Sequence, residues 1–302
     1  MKRALEVDAG AAGARVDVFL GERLGLSRAR LKALFDEGAV RVDGKRARKG
    51  VALCAGQRVE VEVPDATAAA VPDAALALAV LWEDESLVFV DKAAGVPSQP
   101  LRPGETGTVA NALLARYPDM AGAGQDEREA GLCHRLDVET SGVLLAARTR
   151  AVWEAVRAAF GREGAVDKRY LALVAGGLAD EGEIDLPLAH RGDHVRPALD
   201  GEDGRPARSS FEVQARAGSA ALVRVRLHTG VLHQVRAHLA AVGAPIVGDT
   251  AYGGPADEGG RFFLHAQSLE LEHPVTKRRL RVEAPAPDAL RAAAARLGLA
   301  LP

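Results

Sequence analysis

The sequence predicts a two-domain chain: a small α/β unit, then a larger domain in which short strands alternate with helices. Three observations carry this. Residues 1–64 pass from helix-period apolar spacing to strand-like alternation. Residues 64–78, PDATAAAVPDAALAL, are of low complexity and read as a connection, which places a linker at 65–77. Residues 78–302 then hold many apolar runs of strand length, separated by turn residues and helix-period segments.

In the first unit, Val16, Val18, Phe19 and Leu20 open a short helix. Ser27 suits an N-cap for a second, where Leu31, Leu34 and Phe35 fall at helical spacing and Gly38 stands as the stop. Val40 and Val42 lead into an Asp43-Gly44 turn, and Val59, Val61 and Val63 alternate as a closing strand. Residues 1–64 carry 13 Lys and Arg against 9 Asp and Glu, a local excess in a chain whose net charge is −2. Arg28, Arg30 and Lys32 lie on the second helix, and Arg41, Lys45, Arg46, Arg48 and Lys49 gather round the turn. Such a run is a solvated face or a grip on a phosphate backbone.

The larger domain opens as a hairpin, Val80–Trp82 and Leu87–Val90, followed by an irregular loop rich in Gly and Pro. Thr108 caps a helix through Ala115 that ends near Tyr117-Pro118. Residues 119–130 read as a mobile loop. A helix spans 150–160, and VDKRYLALVAGG follows as a strand. GEIDLPLAHR and ARSSFEVQAR continue as strands around a polar loop, His190 to Arg208. In AALVRVRLHTG, Arg224, Arg226 and His228 share one face, either solvated or a track for RNA. A helix after Gly230 packs Leu232, Val235 and Leu239 inward, a glycine-marked loop holds Asp249 and Tyr252, a hairpin turns at His273–Lys277, and an Ala-rich helix starts at about Asp288.

Composition narrows the function. Two cysteines far apart, Cys54 and Cys133, support neither a disulfide framework nor a metal site, and the eight histidines form no HExxH. No metal is expected. The first residues lack the apolar core of a signal peptide and no run reaches membrane-spanning length, so a cytoplasmic protein with no membrane partner is expected. A balanced net charge leaves any nucleic-acid binding to local patches.

The chemistry concentrates in GLCHRLDVETSGVLLAAR, residues 131–148, where His134, Arg135, Asp137, Glu139, Thr140 and Ser141 lie between two apolar runs, the second a buried strand. Taken alone this is equally an ordinary polar turn. A second constellation is HTGVLHQVRAHL with VGDTAYGG, in which His233 and Arg236 are three apart on one helix face.

HRLDVETSG, the KRY of Lys168–Tyr170, and TGVLHQVRAHL with VGDTAYGG and LHAQSLELEHP occur here in one order. By these blocks the chain resembles the RluA/RluC/RluD-type pseudouridine synthases. SRARLKALFDEGAVRVDGK with GQRVEVEVP resembles the S4-type RNA-binding domain that some of them carry in front. The resemblance spans about residues 13–63 and 78–285. It implies an α+β fold: an S4-like domain over 1–64 and a catalytic domain over 78–302 built on a mixed, largely antiparallel sheet. It further implies that Asp137 is the catalytic aspartate, Tyr170 stacks on the target uracil, and Arg236 pairs with Asp137. Arg135 would fill the gap left by a flipped nucleotide. His134, Lys168, His233 and Gln234 would meet the RNA, as would Arg28, Arg30, Lys45 and Arg46 of the first domain; His134 and His233 could equally pack. No cofactor is implied. The partner is RNA, a 23S-type rRNA before tRNA, and a monomer is expected. The chain departs from the family at Val231 and Leu232, where Arg-Thr or Arg-Ser is usual, and in the loop AAGVPSQP, where a His-Pro ending is common. A non-catalytic S4-type RNA-binding or ribosome-assembly factor is the alternative, and a nucleoside hydrolase using Asp137 a third reading.

Overall fold

The computed structural model describes residues 2–24, 28–62, 69–192 and 194–301, and the chain divides into two compact units, 1–67 and 68–302.

The first unit comprises β1 (Lys2–Glu6), α1 (Val16–Leu24), α2 (Arg28–Asp36), β2 (Val40–Val42), β3 (Lys45–Arg46) and β4 (Arg58–Glu62). Its sheet runs β1-β4-β2-β3, antiparallel throughout. Asp43 and Gly44 both take positive φ, 49° and 74°, as a tight two-residue hairpin requires. Val16, Phe19, Leu20, Leu31, Leu34, Val40, Val59 and Val61 form one core. β1 was not anticipated; its burial pattern is mostly exposed, so it carries little apolar signal. Ser27, expected as the cap of α2, and Val63 lie outside the described residues, as do the side chains of Arg28 and Arg30.

The second unit contains β5 (Ala79–Glu83), β6 (Leu87–Lys92), α3 (Val109–Arg116), β7 (Ser141–Ala147), α4 (Arg150–Phe160), β8 (Val166–Ala175), β9 (Glu181–Asp185), β10 (Leu188–Arg191), β11 (His194–Pro197), β12 (Arg208–Ala217), β13 (Ala220–Leu227), α5 (Gln234–Ala241), β14 (Leu264–Glu272), β15 (Arg279–Glu283) and α6 (Asp288–Arg296). Nine strands form one mixed sheet in the order β5-β6-β7-β14-β8-β13-β12-β9, with β15 also on β14. Among the described residues its one parallel contact is β7 with β14, where Gly142 faces Ala266. A Cβ on Gly142 would sit 2.2 Å from the Ala266 carbonyl oxygen, and φ is +109°, so only glycine fits this crossing.

The sheet's two faces bury different partners. On β7, Leu144 and Ala146 join the large core with α3 and α5, whereas Val143 and Leu145 join a second core with Trp153 and Val156 of α4. On β8, Tyr170, Ala172 and Val174 enter the large core, while Leu171 and Leu173 pack against Leu290, Ala293 and Ala294 of α6. Thr108 caps α3 in a reciprocal box with Asn111.

Four expectations change. The expected strand GEIDLPLAHR is divided between β9 and β10, and the polar loop His190–Arg208 contains β11, which pairs with β10 so that Leu188 and Val195 pack with Ala207 and Ala237. Residues 119–130, expected to be mobile, are folded on their own side chains: Glu129 accepts the Gln125 N–H at 2.8 Å, and Arg128 holds Asp126. The linker's second half is pinned to α3, since Asn111 donates to the Val71 carbonyl at 2.7 Å and Asp73 accepts the Gly107 N–H at 3.0 Å. Leu232 is 39% exposed, because α5 begins only at Gln234 and leaves it on the turn before.

Candidate active site

Asp137 lies on the loop entering β7, and the backbone on either side of it is fastened from below. Ser98 donates to the Leu136 carbonyl at 2.8 Å and accepts the Leu136 N–H at 3.1 Å. Lys92, 1% exposed, donates from its ammonium to the carbonyls of Val138 (2.8 Å), Val96 (2.7 Å) and Ala93 (3.0 Å). All three ammonium protons are thereby used. Burial lowers the Lys92 pKa to about 8, against the pull of Glu139 and Asp137. Neither Ser98 nor Lys92 was singled out in the sequence. The departure AAGVPSQP is thus part of the mount.

Arg236 comes from the first turn of α5. Its Nε and Nη2 donate to the two Asp249 oxygens at 2.7 and 2.9 Å, and its Nη1 donates to Asp137 at 3.2 Å. The guanidinium is stacked between the rings of Tyr252 and Phe262, with centroids 4.7 and 4.4 Å away. Burial opposes its charge, but the hydrogen bonds and fields of Asp249 and Asp137 outweigh that and raise its pKa further. Asp249 is 1% exposed at its side chain and Asp137 23%. One carboxylate therefore serves as a buried anchor, and the other stays open with an oxygen to spare.

That second oxygen faces His233, whose Nε2 lies 3.7 Å away. His233 is held in the left-handed region at φ 51°, a conformation that costs a non-glycine residue about 1–3 kcal/mol and is found at functional sites. Its Nδ1 is 2.9 Å from the Tyr252 hydroxyl, which accepts the Val195 N–H at 3.1 Å. Burial first, with Arg236 and His194 adding, lowers the His233 pKa against the opposing pull of Asp137.

Tyr170 stands on β8, paired with Val225 and Ala266. Burial, with Asp137 adding, raises its pKa well above the ordinary value, so the hydroxyl remains protonated. The ring can stack on a base, but a phenolate poised to take a proton is not what this environment favours. Arg135 is exposed, with no hydrogen bond or ion pair among the described residues.

Two expected RNA contacts are corrected. Gln234 is buried with its amide fully engaged: the oxygen accepts from Thr229 Oγ1 and Val231 N, and the nitrogen donates to Arg208 O and Ser209 Oγ. It anchors α5. His134 accepts the Leu145 N–H at 3.1 Å and stacks on Phe160, so it packs. The face of β13 bearing Arg226 is opposite that of Val225 and Tyr170, and Arg226 pairs with buried Asp167 there, as does Arg169. It is an ion-paired back face and not part of the site. Lys45 and Arg46 are exposed, with Arg46 donating to the Asp36 carbonyl. Among the described residues, no group of three or more His, Cys, Asp or Glu could hold a metal, and no helix is long and apolar enough to cross a membrane.

The arrangement presents one ionisable, partly open carboxylate, oriented by a guanidinium and flanked by an aromatic ring. Such a group can attack or stabilise an electron-poor sugar carbon. The sequence model of the RNA pseudouridylate synthase family matches residues 86–241. The chain is 36% identical to "Ribosomal large subunit pseudouridine synthase D" of Xanthomonas campestris over 93% of its own length and 88% of the relative's. It is 37% identical to a Mycobacterium bovis protein named as an uncharacterized RNA pseudouridine synthase, over 94% of each. In three dimensions it is similar to human RNA pseudouridylate synthase domain containing 1, with TM-score 0.57 and 26% identity, covering 73% of this chain and 89% of that one. Human RNA pseudouridylate synthase domain containing 4 shares the fold, with TM-score 0.60 and 23% identity over 74% and 94%.

Proposed function

Since the chain belongs to the RNA pseudouridylate synthase family, we propose that Asp137 is the carboxylate with which it converts uridine to pseudouridine in RNA, and that large-subunit rRNA is its substrate. The reaction breaks the C1′–N1 bond, turns the base, and joins C1′ to C5; N1 gains a proton and C5 loses one. The atoms balance without a redox partner or group donor. The Asp137–Arg236 contact at 3.2 Å carries the reading. A carboxylate must be ionised to meet a sugar carbon bearing positive charge, and a guanidinium within hydrogen-bond reach favours the ionised form.

A uracil stacked in a helix cannot reach Asp137. Extruding it costs a few kcal/mol. Arg135, exposed two residues before Asp137, suits the vacated place in the stack, and the Tyr170 ring suits the extruded base, where such stacking is worth about 1–3 kcal/mol. The rRNA assignment rests on relatives named for the large ribosomal subunit, and tRNA is the second candidate. The basic first unit, read as an S4-like domain, would hold the RNA backbone through Lys45, Arg46 and neighbouring cations. A monomer in the cytoplasm completes the reading.

The test uses an unmodified transcript of large-subunit rRNA carrying tritium at C5 of uridine. Tritium release with pseudouridine found at defined positions is the expected result. Binding without release would leave a non-catalytic RNA-binding factor, and release of free uracil would indicate hydrolysis.

A further inference from the structure

Arginines of the second unit mostly hold carboxylates. Arg169 and Arg226 share Asp167, Arg216 holds Asp180, and Arg208 holds Glu183. Beside the Asp137 loop the pattern breaks. Lys168 and Arg157 form no ion pair among the described residues, yet both lie close to one ring stack.

Phe160, at the end of α4, stacks on His134 with ring centroids 5.3 Å apart. The Lys168 ammonium is 5.8 Å from the Phe160 centroid and donates to the Thr229 carbonyl at 2.9 Å. That bond uses one of its three protons. Arg157, three residues before Phe160 on the same helix, donates from Nη1 to the Cys133 carbonyl at 2.9 Å. Its guanidinium lies 5.8 Å from the Trp153 ring centroid and keeps further N–H groups in hand. Burial, then Lys168, then Arg157 hold the His134 imidazole neutral, at about 3. Burial also lowers Lys168 to about 8. Lys168 is partly buried and Arg157 exposed, and neither has a carboxylate partner among the described residues, so both keep donors for an incoming anion.

The place of this pair is informative. Lys168 and Tyr170 are alternate residues of β8 on one face, about 6.6 Å apart along the strand. Lys168 Nζ also lies 3.5 Å from where a Cβ on Gly230 would stand, at the turn that leads to His233. Arg157 holds the Cys133 carbonyl two residues before Arg135, and Lys168 holds the Thr229 carbonyl four residues before His233, so the pair is tied to the two segments that carry Arg135, Asp137 and His233.

We infer that Lys168 and Arg157 bind a backbone phosphate of the RNA strand adjoining the uridine that reaches Asp137, an inference that rests on the assignment of Asp137 above. Each supplies donors already fixed by a carbonyl.

The experiment measures affinity for an unmodified rRNA transcript across a range of salt concentrations, for the full chain and for Arg157→Gln, Lys168→Gln and the double variant. Loss of a phosphate contact reduces the slope of log K against log salt by about 0.7–0.9. Both single variants should show that reduction, with weaker binding at low salt, and Lys168→Arg should restore it. An unchanged slope in folded variants, with a lowered melting temperature as the only effect, would make these side chains mere carbonyl clamps and overturn the inference. Should Lys168→Gln fail to fold, Arg157→Gln and Lys168→Arg still decide the matter. A wild-type protein that binds the transcript but forms no pseudouridine refutes the Asp137 assignment and leaves the salt dependence to be judged separately.

Discussion

Arg236 donates to Asp137 at 3.2 Å across 99 positions of sequence, while its other two nitrogens are claimed by Asp249 at 2.7 and 2.9 Å. The geometry of the open carboxylate is therefore set by a buried one. Asp249→Asn should weaken charge-assisted bonds worth about 1.5–3 kcal/mol. That corresponds to a fall in kcat on the order of tenfold to a hundredfold, with RNA affinity little changed. A kcat within twofold of wild type would show that Asp249 does not orient Arg236.

Lys92 fastens the backbone beside Asp137 through three carbonyls. Lys92→Met keeps most of the stem and leaves those carbonyls without their donor. We expect a stability loss of about 2–4 kcal/mol and a large fall in turnover. Urea unfolding and single-turnover rates measure the two effects. A stable variant with full turnover would remove Lys92 from the mount.

His134 is neutral in the fold with a pKa of about 3 and has an ordinary imidazole pKa of 6.5 when unfolded. The unfolded chain thus binds a proton that the folded chain refuses. Stability from this group is complete above pH 6.5 and is lost as pH falls towards 3, by about 1.4 kcal/mol per pH unit. His134→Gln should flatten the dependence of unfolding free energy on pH between 6 and 4. An unaltered slope would place the proton uptake elsewhere.

Gly142 faces the Ala266 carbonyl at a distance no side chain tolerates. Gly142→Ala should separate β7 from β14 and abolish soluble expression, whereas Gly164→Ala, with open space around its Cβ position, should fold with a modest penalty for its positive φ. A well-folded, active Gly142→Ala protein would contradict the β7–β14 crossing.

Much of this was legible in the sequence because local signals were strong. Thr108 with Asn111, the alternation of Val223 and Val225, and the period of 150–160 each fixed an element within a residue or two. The meeting of Asp137 and Arg236 was legible through the order of their blocks. What stayed hidden was long-range or polar. Lys92 looks like any strand-end lysine until the Asp137 loop folds onto it. Ser98 signals nothing until it meets Leu136, and Asp249, placed in its glycine-marked loop, gave no sign that it would hold Arg236. Gln234 was misassigned because a polar residue beside a site reads as a contact, although here its amide is spent on Thr229, Val231, Arg208 and Ser209. β11 was missed because Val195 is its one buried position, set between His194 and Arg196.

The most direct measurement is single-turnover pseudouridine formation by Asp137→Asn on the unmodified rRNA transcript, alongside its RNA affinity and melting temperature. The account predicts a folded protein that binds RNA as wild type does and forms no pseudouridine. Full conversion by that variant would contradict it.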